Sequence, residues 1–402
     1  MSGRSRSPDK VITMPLTEHD TCESLLAAMV GFDTVNSDIS GRPDAEAELA
    51  AYLDDVAQAM GFATRRFAVN DQKFNLMVTH RADEAAPWVL FESHMDTVTV
   101  EGMTIEPFAG EIRDGKIFGR GACDTKGTGA AMLWALQQHA SAGGGPNNVA
   151  IVFTTDEEIS KLGVKSFTGR HLEQIDWRPQ GVVIGEPTQL RAVTAHNGIV
   201  RWSIQTRGVA AHSADPAQGR SAISMMTRVI DTIETQYVPS LAATHPMTGK
   251  AQCSINVIRG GVQVNVIPEA CEIQIDRRLV PGEDGTDVLP AVEKLLDALR
   301  GQDPKLIAQQ QTPYIDLPLD PTGGEAFSAA VQKVLEGAAL STEPQGAPYA
   351  TDASQFAEIG LPAVVLGPGN IAQAHTKDEW LSLDQLQRGV QVYRGIMAAP
   401  LA

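Results

Sequence analysis

Short apolar runs that alternate with helical stretches are the feature of this sequence that most constrains its fold. Four such runs, FNLMVTH, PWVLFES, VAIVFTT and GVVIGE, are typical of buried strands. The stretches TCESLLAAMVGFDT, AEAELAAYLDDVAQAMGF and TGAAMLWALQQHA carry apolar residues at helical spacing. This alternation predicts an α/β fold with a mixed, mainly parallel sheet flanked by helices.

A change of pattern near residue 192 predicts a second domain. There VRWSIQTRG and ACEIQIDRRL alternate apolar and polar residues as half-exposed strands do, and DVLPAVEKLLDALRG is typical of a helix. After about residue 307 the first pattern returns. A chain of 402 residues with 43% hydrophobic residues is long enough for two domains. We expect residues 1–191 and 307–402 to form one domain and residues 192–306 to be an α+β domain inserted into it.

The balance of charge argues against polyanionic partners. The sequence has 49 acidic and 32 basic residues, a net charge of -17, which disfavours nucleic acid and anionic membranes. No segment resembles a signal peptide, and no run approaches the ~20 apolar residues that span a bilayer. The four cysteines have neither zinc-knuckle spacing nor the density of a disulfide scaffold. These observations predict a cytoplasmic protein with no nucleic-acid or membrane partner.

Acidic and imidazole side chains follow the predicted strands of the first domain. WVLFE leads to His94 and Asp96, VAIVFTT leads to Asp156, Glu157 and Glu158, VVIG leads to Glu186, AVVLGPGN leads into a loop with His375, and GRGACDTKG places Asp124 before a helix. So many like charges at strand ends need a compensating cation. The simplest compensator is a pair of divalent metal ions.

The types of these residues predict the metal and its chemistry. Two imidazoles with three or four carboxylates suit zinc, cobalt or manganese better than calcium or magnesium. Asp124 would bridge the two ions. A water molecule shared by ions roughly 3.5–4 Å apart loses a proton near neutral pH and becomes a nucleophile. A further carboxylate beside it would serve as general base.

Each of these features has a structural alternative. Glu157 and Glu158 could begin a solvated helix over EEISKLGVKSF, since acids favour the first turn, and Glu186 could belong to a simple turn. GRGACD has Asp124 where a dinucleotide fingerprint has its third glycine, and Ser93 lacks the glycines of a nucleophile elbow. The metal interpretation depends on several features falling at successive strand ends.

The chain resembles the di-zinc family of acetylornithine deacetylases, succinyl-diaminopimelate desuccinylases and glutamate carboxypeptidases. The motifs that carry the resemblance occur in family order from about residue 20 to the end: SHMDTV, GRGACDTKG, TTDEE, IGEPT, GVAAHSADP, NVIP, DRRLVPGE and GPGNIAQAHTKDEW. The last motif is most similar to acetylornithine deacetylases. The sequence departs from the family at Ser93, where a glycine is usual, and at Thr125, where Asp or Met is common.

The resemblance implies a zinc exopeptidase-like fold and a role for each strand-end residue. One zinc ion would be held by His94 and Glu186 and the other by Glu158 and His375, with Asp124 bridging both. Asp96 would orient His94 through its second ring nitrogen, and Glu157 would be the general base. The resemblance also implies a cis peptide bond between Asp124 and Thr125.

For the inserted domain, the resemblance implies dimerisation and substrate binding. It implies a homodimer in which His212 donates a hydrogen bond to the scissile carbonyl in the active site of the partner. It implies that Arg278, with Asn265 nearby, binds the carboxylate of the substrate, because a guanidinium group fits a carboxylate with two hydrogen bonds. The structural alternative for Arg278 is an ordinary charge on the surface of a strand.

The sequence therefore predicts a zinc-dependent amide hydrolase acting on an N-acyl amino acid or a dipeptide-like small molecule. Acetylornithine deacetylase activity is the leading interpretation, and a desuccinylase, a glutamate carboxypeptidase or a dipeptidase is the alternative. A noncatalytic metal-binding homologue is a remote alternative, since such a protein would be expected to have lost Glu157 or a metal ligand, and this sequence has lost none.

Overall fold

The computed structural model of the protein describes residues 19–401. These residues form two compact units. The first unit contains residues 19–178, 185–190 and 367–400, and the second contains residues 179–184, 191–366 and 401.

Residues 19–178 contain the first helices and strands of the chain. The helices are α1 (Cys22–Val30), α2 (Ser37–Ser40), α3 (Ala47–Ala59), α4 (Lys126–Ser141) and α5 (Leu162–Ser166). The strands are β1 (Ala63–Ala68), β2 (Phe74–His80), β3 (Trp88–His94), β4 (Glu111–Arg113), β5 (Lys116–Phe118) and β6 (Asn148–Thr154).

The second unit and the C-terminal part of the first unit follow. The strands of the second unit are β7 (Pro179–Ile184), β8 (Val193–His196), β9 (Gly198–Arg207), β10 (Ala211–His212), β11 (Thr244–His245), β12 (Gly249–Lys250), β13 (Gln252–Gly260), β14 (Val266–Ile267), β15 (Ala270–Leu279), β16 (Ala308–Gln310), β17 (Tyr314–Asp316), β18 (Gln345–Ala347) and β19 (Ala363–Val365). Its helices are α6 (Ala222–Thr232), α7 (Val238–Ser240), α8 (Val288–Gln302), α9 (Glu325–Gly337) and α10 (Ala353–Glu358). The first unit ends with β20 (Trp380–Ser382) and α11 (Leu383–Ala398).

In the first unit, β1, β2, β6 and β3 lie side by side in that order. The first two pairs are antiparallel, and β6 and β3 are parallel. Every residue of β3 and of β6 is buried, which explains why both strands read as nearly continuous apolar runs. The predicted α/β fold with a mixed sheet flanked by helices is confirmed.

Small residues allow α4 to pack closely within the first unit, where it contacts α1 and α11. A Cβ atom on Gly127 would lie 2.4 Å from the carbonyl oxygen of Ala122, and one on Gly129 would lie 3.0 Å from Cε1 of Phe153. Glycine is therefore required at Gly127 for the first turn of α4 to approach the preceding loop. This turn begins two residues after Asp124, so the packing of α4 helps to position the backbone that carries that carboxylate.

The second unit contains an antiparallel sheet with the strand order β13, β15, β9 and β16, and β17 also pairs with β9. Exposed and buried residues alternate along β15 and over most of β9, as the sequence pattern predicts. The helices α6 and α8 cover one face, where Trp202, Ile204, Ile273 and Ile275 are buried. The insertion of residues 192–306 between residues 1–191 and 307–402 stays a prediction, and residues 1–18 and 402 lie outside the described part of the chain.

Residues 19–401 contain neither a membrane-spanning helix nor a disulfide bond. In this range, no helix is both long enough and apolar enough to cross a bilayer. Cys22, Cys123, Cys253 and Cys271 are all free thiols, in keeping with the sequence interpretation that the chain is not a disulfide scaffold.

Candidate metal centre

The ends of β3 and β6 bring the first predicted residues together. These strands are parallel, and His94 at the end of β3 pairs with Thr154 at the end of β6. Residues that follow parallel neighbours emerge at the same edge of the sheet. Beyond β6 the chain turns at Asp156, whose φ is +66°, a conformation that aspartate adopts more readily than most residues. The turn presents Glu157 and Glu158.

Glu157 and Glu158 do not begin a solvated helix, which was the structural alternative. The next helix, α5, begins at Leu162, and the Glu157 and Glu158 side chains are only 11% and 7% exposed. Their backbone N–H groups donate to the carboxylate of Asp96 at 2.9 and 3.2 Å. The side chains of both acids are therefore largely buried, in a turn that Asp96 holds in place.

Asp124 lies directly before α4, and its backbone is fixed by a buried ion pair. The Asp124–Thr125 peptide bond is cis, as the resemblance implied. The N–H groups of Cys123 and Asp124 donate to Oε1 of Glu379 at 2.9 and 3.0 Å. Oε2 of Glu379 accepts a hydrogen bond of 2.6 Å from Arg120. Glu379 thus connects the backbone that carries Asp124 to a buried guanidinium group.

Glu186 and His375 come from two later segments of the first unit. Residues 185–187, which include Glu186, do not form a turn: the N–H of Gly185 donates to the carbonyl of Glu92 at 2.8 Å, and Thr188 forms a bridge with Asn370. His375 has a φ of +59°, and its side chain is about half exposed. The imidazole therefore closes the cluster on its solvent side, whereas Glu186 is buried.

Asp124 lies at the centre of the cluster, because its two oxygens face different imidazoles. Its Oδ1 is 3.1 Å from Nε2 of His94, and its Oδ2 is 3.2 Å from Nε2 of His375. Oε1 of Glu158 is 3.1 Å from Nε2 of His375, and Oε1 of Glu186 is 3.9 Å from Nε2 of His94. The five residues predicted to bind metal are therefore brought together, with Asp124 between two groups of donors.

Asp96 and Lys161 contact the cluster without being central to it. Nδ1 of His94 lies 3.0 Å from the carbonyl oxygen of Asp96 and 3.5 Å from its Oδ1, so Asp96 faces the second ring nitrogen of His94. Glu157 has a donor oxygen within 4.8 Å of donors on His94 and Glu186. Its Oε1 is also 3.2 Å from Nζ of Lys161, which fixes the direction of the Glu157 carboxylate.

The protonation of the cluster reflects its excess of carboxylates. Burial, and then Asp124, raises the pKa of Glu158 to about 7 and that of Glu186 well above its usual range. Burial opposes a charged His94, but hydrogen bonds to Asp124 and Asp96 outweigh burial and raise the pKa of His94 well above 6.5. Hydrogen bonds to Asp124 and Glu158 raise the pKa of His375 to about 11. The raised pKa values favour protonation of these carboxyl and imidazole groups, and each bound proton offsets part of the negative charge of the cluster.

This donor set fits divalent metal ions. Imidazole nitrogens and carboxylate oxygens from His94, Asp124 and Glu158 lie within 4.8 Å of one another, as do those of His94, Glu157 and Glu186. Nitrogen and oxygen donors of this kind suit zinc, cobalt and manganese. A divalent cation would supply the positive charge that protons on Glu158, Glu186 and the imidazoles otherwise supply.

Four supporting residues were not assigned a role from the sequence. They are Asn36, which contacts Asp96, Lys161, which contacts Glu157, and the pair Arg120 and Glu379, which holds the backbone of Asp124. Glu379 lies in the motif GPGNIAQAHTKDEW, which was used only for the resemblance. The polar character of Asn36 before a short helix predicts no more than a helix cap. Only the tertiary contacts show these roles.

Three predicted residues lie in the second unit. The strands β10 and β14 pair, with His212 opposite Val266, and the N–H of Ser213 donates to the carbonyl of Asn265 at 3.0 Å. His212 and Asn265 are therefore neighbours on an exposed two-stranded segment.

The third, Arg278, lies near the end of β15, where its Nε donates to Oδ1 of Asp276 at 2.6 Å. The other oxygen of Asp276 accepts a hydrogen bond of 2.8 Å from Nε of Arg201. The Arg278 guanidinium is thus held at Nε, which leaves the edge formed by its two terminal nitrogens pointing away from this bond.

Comparison with known proteins agrees with the geometry. The sequence profile described as peptidase family M20/M25/M40 matches residues 90–399. The chain is 29% identical over 374 residues to an acetylornithine deacetylase of Myxococcus xanthus, a match that covers 90% of this chain and 93% of that relative. It is 28% identical over an alignment of 426 residues to a probable succinyl-diaminopimelate desuccinylase of Staphylococcus epidermidis, which covers 96% and 99% of the two chains.

A solved structure shows the same fold. An M20 family metallo-carboxypeptidase from Sulfolobus solfataricus superimposes with a TM-score of 0.77 at 16% sequence identity, and the match covers 94% of this chain and 99% of that one. The resemblance inferred from the motifs is confirmed by these matches.

Proposed function

We propose that this chain, a metal-dependent amide hydrolase that belongs to peptidase family M20/M25/M40, removes the acyl group from a small N-acyl amino acid. The observation that carries the proposal is the position of Asp124, whose two oxygens face two different imidazoles inside a buried cluster of carboxylates. Glu157 is a further carboxylate beside the cluster, which supports a role for it in moving a proton.

Two metal ions are proposed to bind this cluster. His94 and Glu186 would hold one ion, Glu158 and His375 the other, and Asp124 would bind both. We propose zinc, with cobalt or manganese as substitutes. When bound, such ions polarise an amide carbonyl and lower the pKa of a water molecule. Asp96 would hold the imidazole of His94 in the orientation that exposes Nε2 to the metal.

Glu157 is proposed as the general base. Its carboxylate would accept a proton from the attacking water as the new C–O bond forms, and would then deliver that proton to the amine nitrogen as the C–N bond breaks. Lys161 contacts Oε1 at 3.2 Å, which keeps the carboxylate from rotating and leaves Oε2 to carry the proton. The reaction consumes one water molecule and releases a carboxylic acid and an amine.

Recognition of the substrate is proposed to involve the second unit. Arg278 would bind the carboxylate of the substrate through its terminal nitrogens, with Asn265 nearby, because Nε is already held by Asp276. His212 would stabilise the developing oxyanion. Following the resemblance, we propose a homodimer in which His212 reaches the active site of the partner, and a cytoplasmic location.

The acyl group is proposed to be acetyl, with an acetylornithine-like substrate. The similarity to the Myxococcus xanthus acetylornithine deacetylase and the C-terminal motif support this choice. A succinylated substrate is the second candidate, because the similarity to the desuccinylase extends over 96% of the chain. A carboxypeptidase or dipeptidase activity is the remaining alternative.

A substrate panel with controlled metal content tests the proposal. Metal-free protein and protein loaded with zinc, cobalt or manganese would be assayed with N-acetylornithine, N-succinyl-diaminopimelate and dipeptides. We expect N-acetylornithine to give the highest kcat/KM, and chelation to abolish hydrolysis until metal is restored. Full activity of the metal-free protein would contradict the proposed metal dependence. A higher kcat/KM for N-succinyl-diaminopimelate would contradict the acetyl proposal and favour a desuccinylase.

The same panel tests the role of Arg278 through the matched carboxamide of the best substrate. A hydrogen bond to a charged group contributes about 1.5–3 kcal/mol. The carboxamide should therefore show a kcat/KM lower by about 10–100-fold, and Arg278→Met should remove most of this difference. Arg259→Met, which changes an exposed arginine of β13, should preserve it. Equal turnover of the two compounds by the parent protein would contradict carboxylate recognition.

A further inference from the structure

A buried polar network lies behind the turn that presents Glu157 and Glu158. Its members are Asn36, Lys73, Asp96 and Asp156, and all four belong to the first unit. Asn36 and Asp96 are fully buried, Asp156 is 1% exposed and Lys73 is 7% exposed. Polar groups this deeply buried persist only where they satisfy one another.

Asn36 joins two carboxylates with one amide group. Its Nδ2 donates to Oδ2 of Asp96 at 2.7 Å and to Oδ1 of Asp156 at 3.0 Å. Its Oδ1 accepts a hydrogen bond from the N–H of Asp38 at 3.0 Å, which determines which end of the amide faces the carboxylates. Both amide hydrogens are thus used to hold together two anions that would otherwise repel each other.

The two joined carboxylates hold opposite ends of the same turn. Asp96 accepts the backbone N–H groups of Glu157 and Glu158. Asp156 accepts a hydrogen bond from the hydroxyl of Ser160, and its own carbonyl oxygen accepts the N–H of Lys161 at 2.7 Å. The segment from Asp156 to Lys161 is therefore fixed at its start by Asp96 and across its length by Asp156.

Lys73 supplies the charge that makes this arrangement stable. Its Nζ lies 3.0 Å from Oδ1 of Asp156 and 3.5 Å from Oε1 of Glu46. Burial would lower the pKa of Lys73, but Glu46 and Asp156 outweigh burial and raise it, so the ammonium group stays charged. Lys73 thus places a positive charge beside the Asp156 carboxylate in a buried site.

We propose that Asn36, supported by Asp156 and Lys73, is a positioning residue for Glu157 and Glu158. Asn36 contacts neither of the two imidazoles, and it acts through Asp96 and Asp156 on the backbone that carries the proposed general base and a proposed metal ligand. The inference deepens the proposed function, because it gives Glu157 and Glu158 the roles proposed above. Displacement of a reacting group by about 1 Å can cost about 100-fold in rate.

The test is Asn36→Leu, which keeps the size of the side chain and removes both donors. We expect the affinity for cobalt, measured by competition with a chromophoric chelator, to fall about 10–100-fold, as for loss of other residues that orient metal ligands. With saturating metal, kcat should fall by a similar factor, while KM stays within about threefold, because the change affects the orientation of Glu157 and not the binding of substrate.

Asn148→Leu is the matched control. Asn148 is also a fully buried asparagine, but it lies at the first residue of β6, at the opposite end of the strand from the cluster. Its amide donates to the carbonyl groups of Asp83 and Ala86 at 2.7 and 2.9 Å, and its oxygen accepts the N–H of Ala82. This variant should lose thermal stability but keep the metal affinity and kcat of the parent.

Asp156→Asn provides a second variant, should Asn36→Leu fail to fold. Asparagine tolerates the positive φ of Asp156, so the backbone is preserved while one acceptor and the charge facing Lys73 are lost. Its cobalt affinity should fall by about tenfold. Parent-like affinity in the variants that fold, or an equal loss in Asn148→Leu, would overturn the proposal. The cobalt titration needs no substrate, so it tests positioning even if none of the N-acyl compounds is hydrolysed.

Discussion

Individual carboxylates of the candidate metal centre are directed by neighbours that hold them from outside the cluster. Glu379 accepts the N–H of Asp124, Lys161 contacts an oxygen of Glu157, and Asn36 donates to Asp96. Each contact uses a donor or acceptor that has no role in binding metal. The directions of the carboxylates are therefore set by the fold before any ion arrives, which reduces the cost of ordering them on binding.

The role proposed for Glu157 leads to a prediction for Glu157→Gln. Glutamine keeps the shape of the side chain but cannot accept a proton at neutral pH. We therefore expect kcat to fall by about 10²–10⁴-fold or more. Metal content, measured by elemental analysis, should remain that of the parent. The exposed Glu101 offers a control, and Glu101→Gln should leave both quantities unchanged. A kcat within threefold of the parent in Glu157→Gln would assign the base to another group.

Pairs of elements, rather than single strands, create the site. The parallel register of β3 with β6 places His94 beside Thr154, and the turn after Thr154 then reaches Asp96. The sequence predicted both strands and the polar residues that follow them. It left open whether Glu157 begins a helix, because an acidic pair before an apolar stretch is compatible with both structures. In the structure, Asp156 and Lys161 both have a positive φ, so the segment between them forms a turn and not a helix.

The far end of α4 contains a buried histidine that should make stability depend on pH. His139 is 2% exposed, and its ring lies 6.2 Å from the ring of His80. Burial, and then His80 and Arg394, lowers the pKa of His139 below 6.5 in the folded state. The unfolded chain therefore binds the proton more readily. The contribution of a neutral His139 to stability is fully present above about pH 6.5 and is lost as the pH falls below that value.

Replacement of His139 should weaken this dependence. In His139→Leu, the free energy of unfolding, measured by urea titration at several pH values between about 5 and 7, should fall less steeply toward low pH than in the parent. The difference in slope should not exceed about 1.4 kcal/mol per pH unit, the limit for one proton. Identical slopes in the two proteins would show that His139 does not titrate differently in the folded and unfolded states.

The residues proposed to act together are divided between the two compact units. The metal donors and Glu157 belong to the first unit, and His212, Asn265 and Arg278 belong to the second. The antiparallel sheet of the second unit continues to Asp316 through β16 and β17, which both pair with β9. The proposed homodimer would combine the first unit of one chain with His212 of the other.

Mixing two variants of low activity tests this arrangement. His212→Ala should lower turnover about 10²–10³-fold, as for loss of one oxyanion donor, and Glu157→Gln should lower it about 10²–10⁴-fold or more through loss of the general base. If His212 acts in the partner's site, dissociating and mixing the two variants should restore activity, because one site of each heterodimer then has an intact Glu157 and a donated His212. Each variant taken alone through the same procedure is the control. Heterodimers demonstrated by mass that remain inactive would exclude action between chains.

The α/β fold and the residues at the strand ends can be inferred from the sequence alone. Strands such as β3 and β6 consist of contiguous apolar residues, which the sequence pattern predicts. His94, Asp124 and Glu158 lie next to such strands or in short motifs, so they can be identified from neighbouring residues alone. The family also follows from the sequence, because its motifs occur in a fixed order.

Which polar groups support the cluster depends on how distant segments of the chain pack together. Asn36 contacts Asp156 across 120 residues of sequence, and Glu379 contacts Asp124 across 255. The hydrophobic pattern around a residue indicates whether its own segment is buried. Which group accepts or donates its hydrogen bond depends on how distant segments pack against it. Asn36, Lys73 and Glu379 are unremarkable polar residues in the sequence, and they become part of the site because folding places them, without access to water, within hydrogen-bonding or ion-pair distance of its carboxylates and backbone.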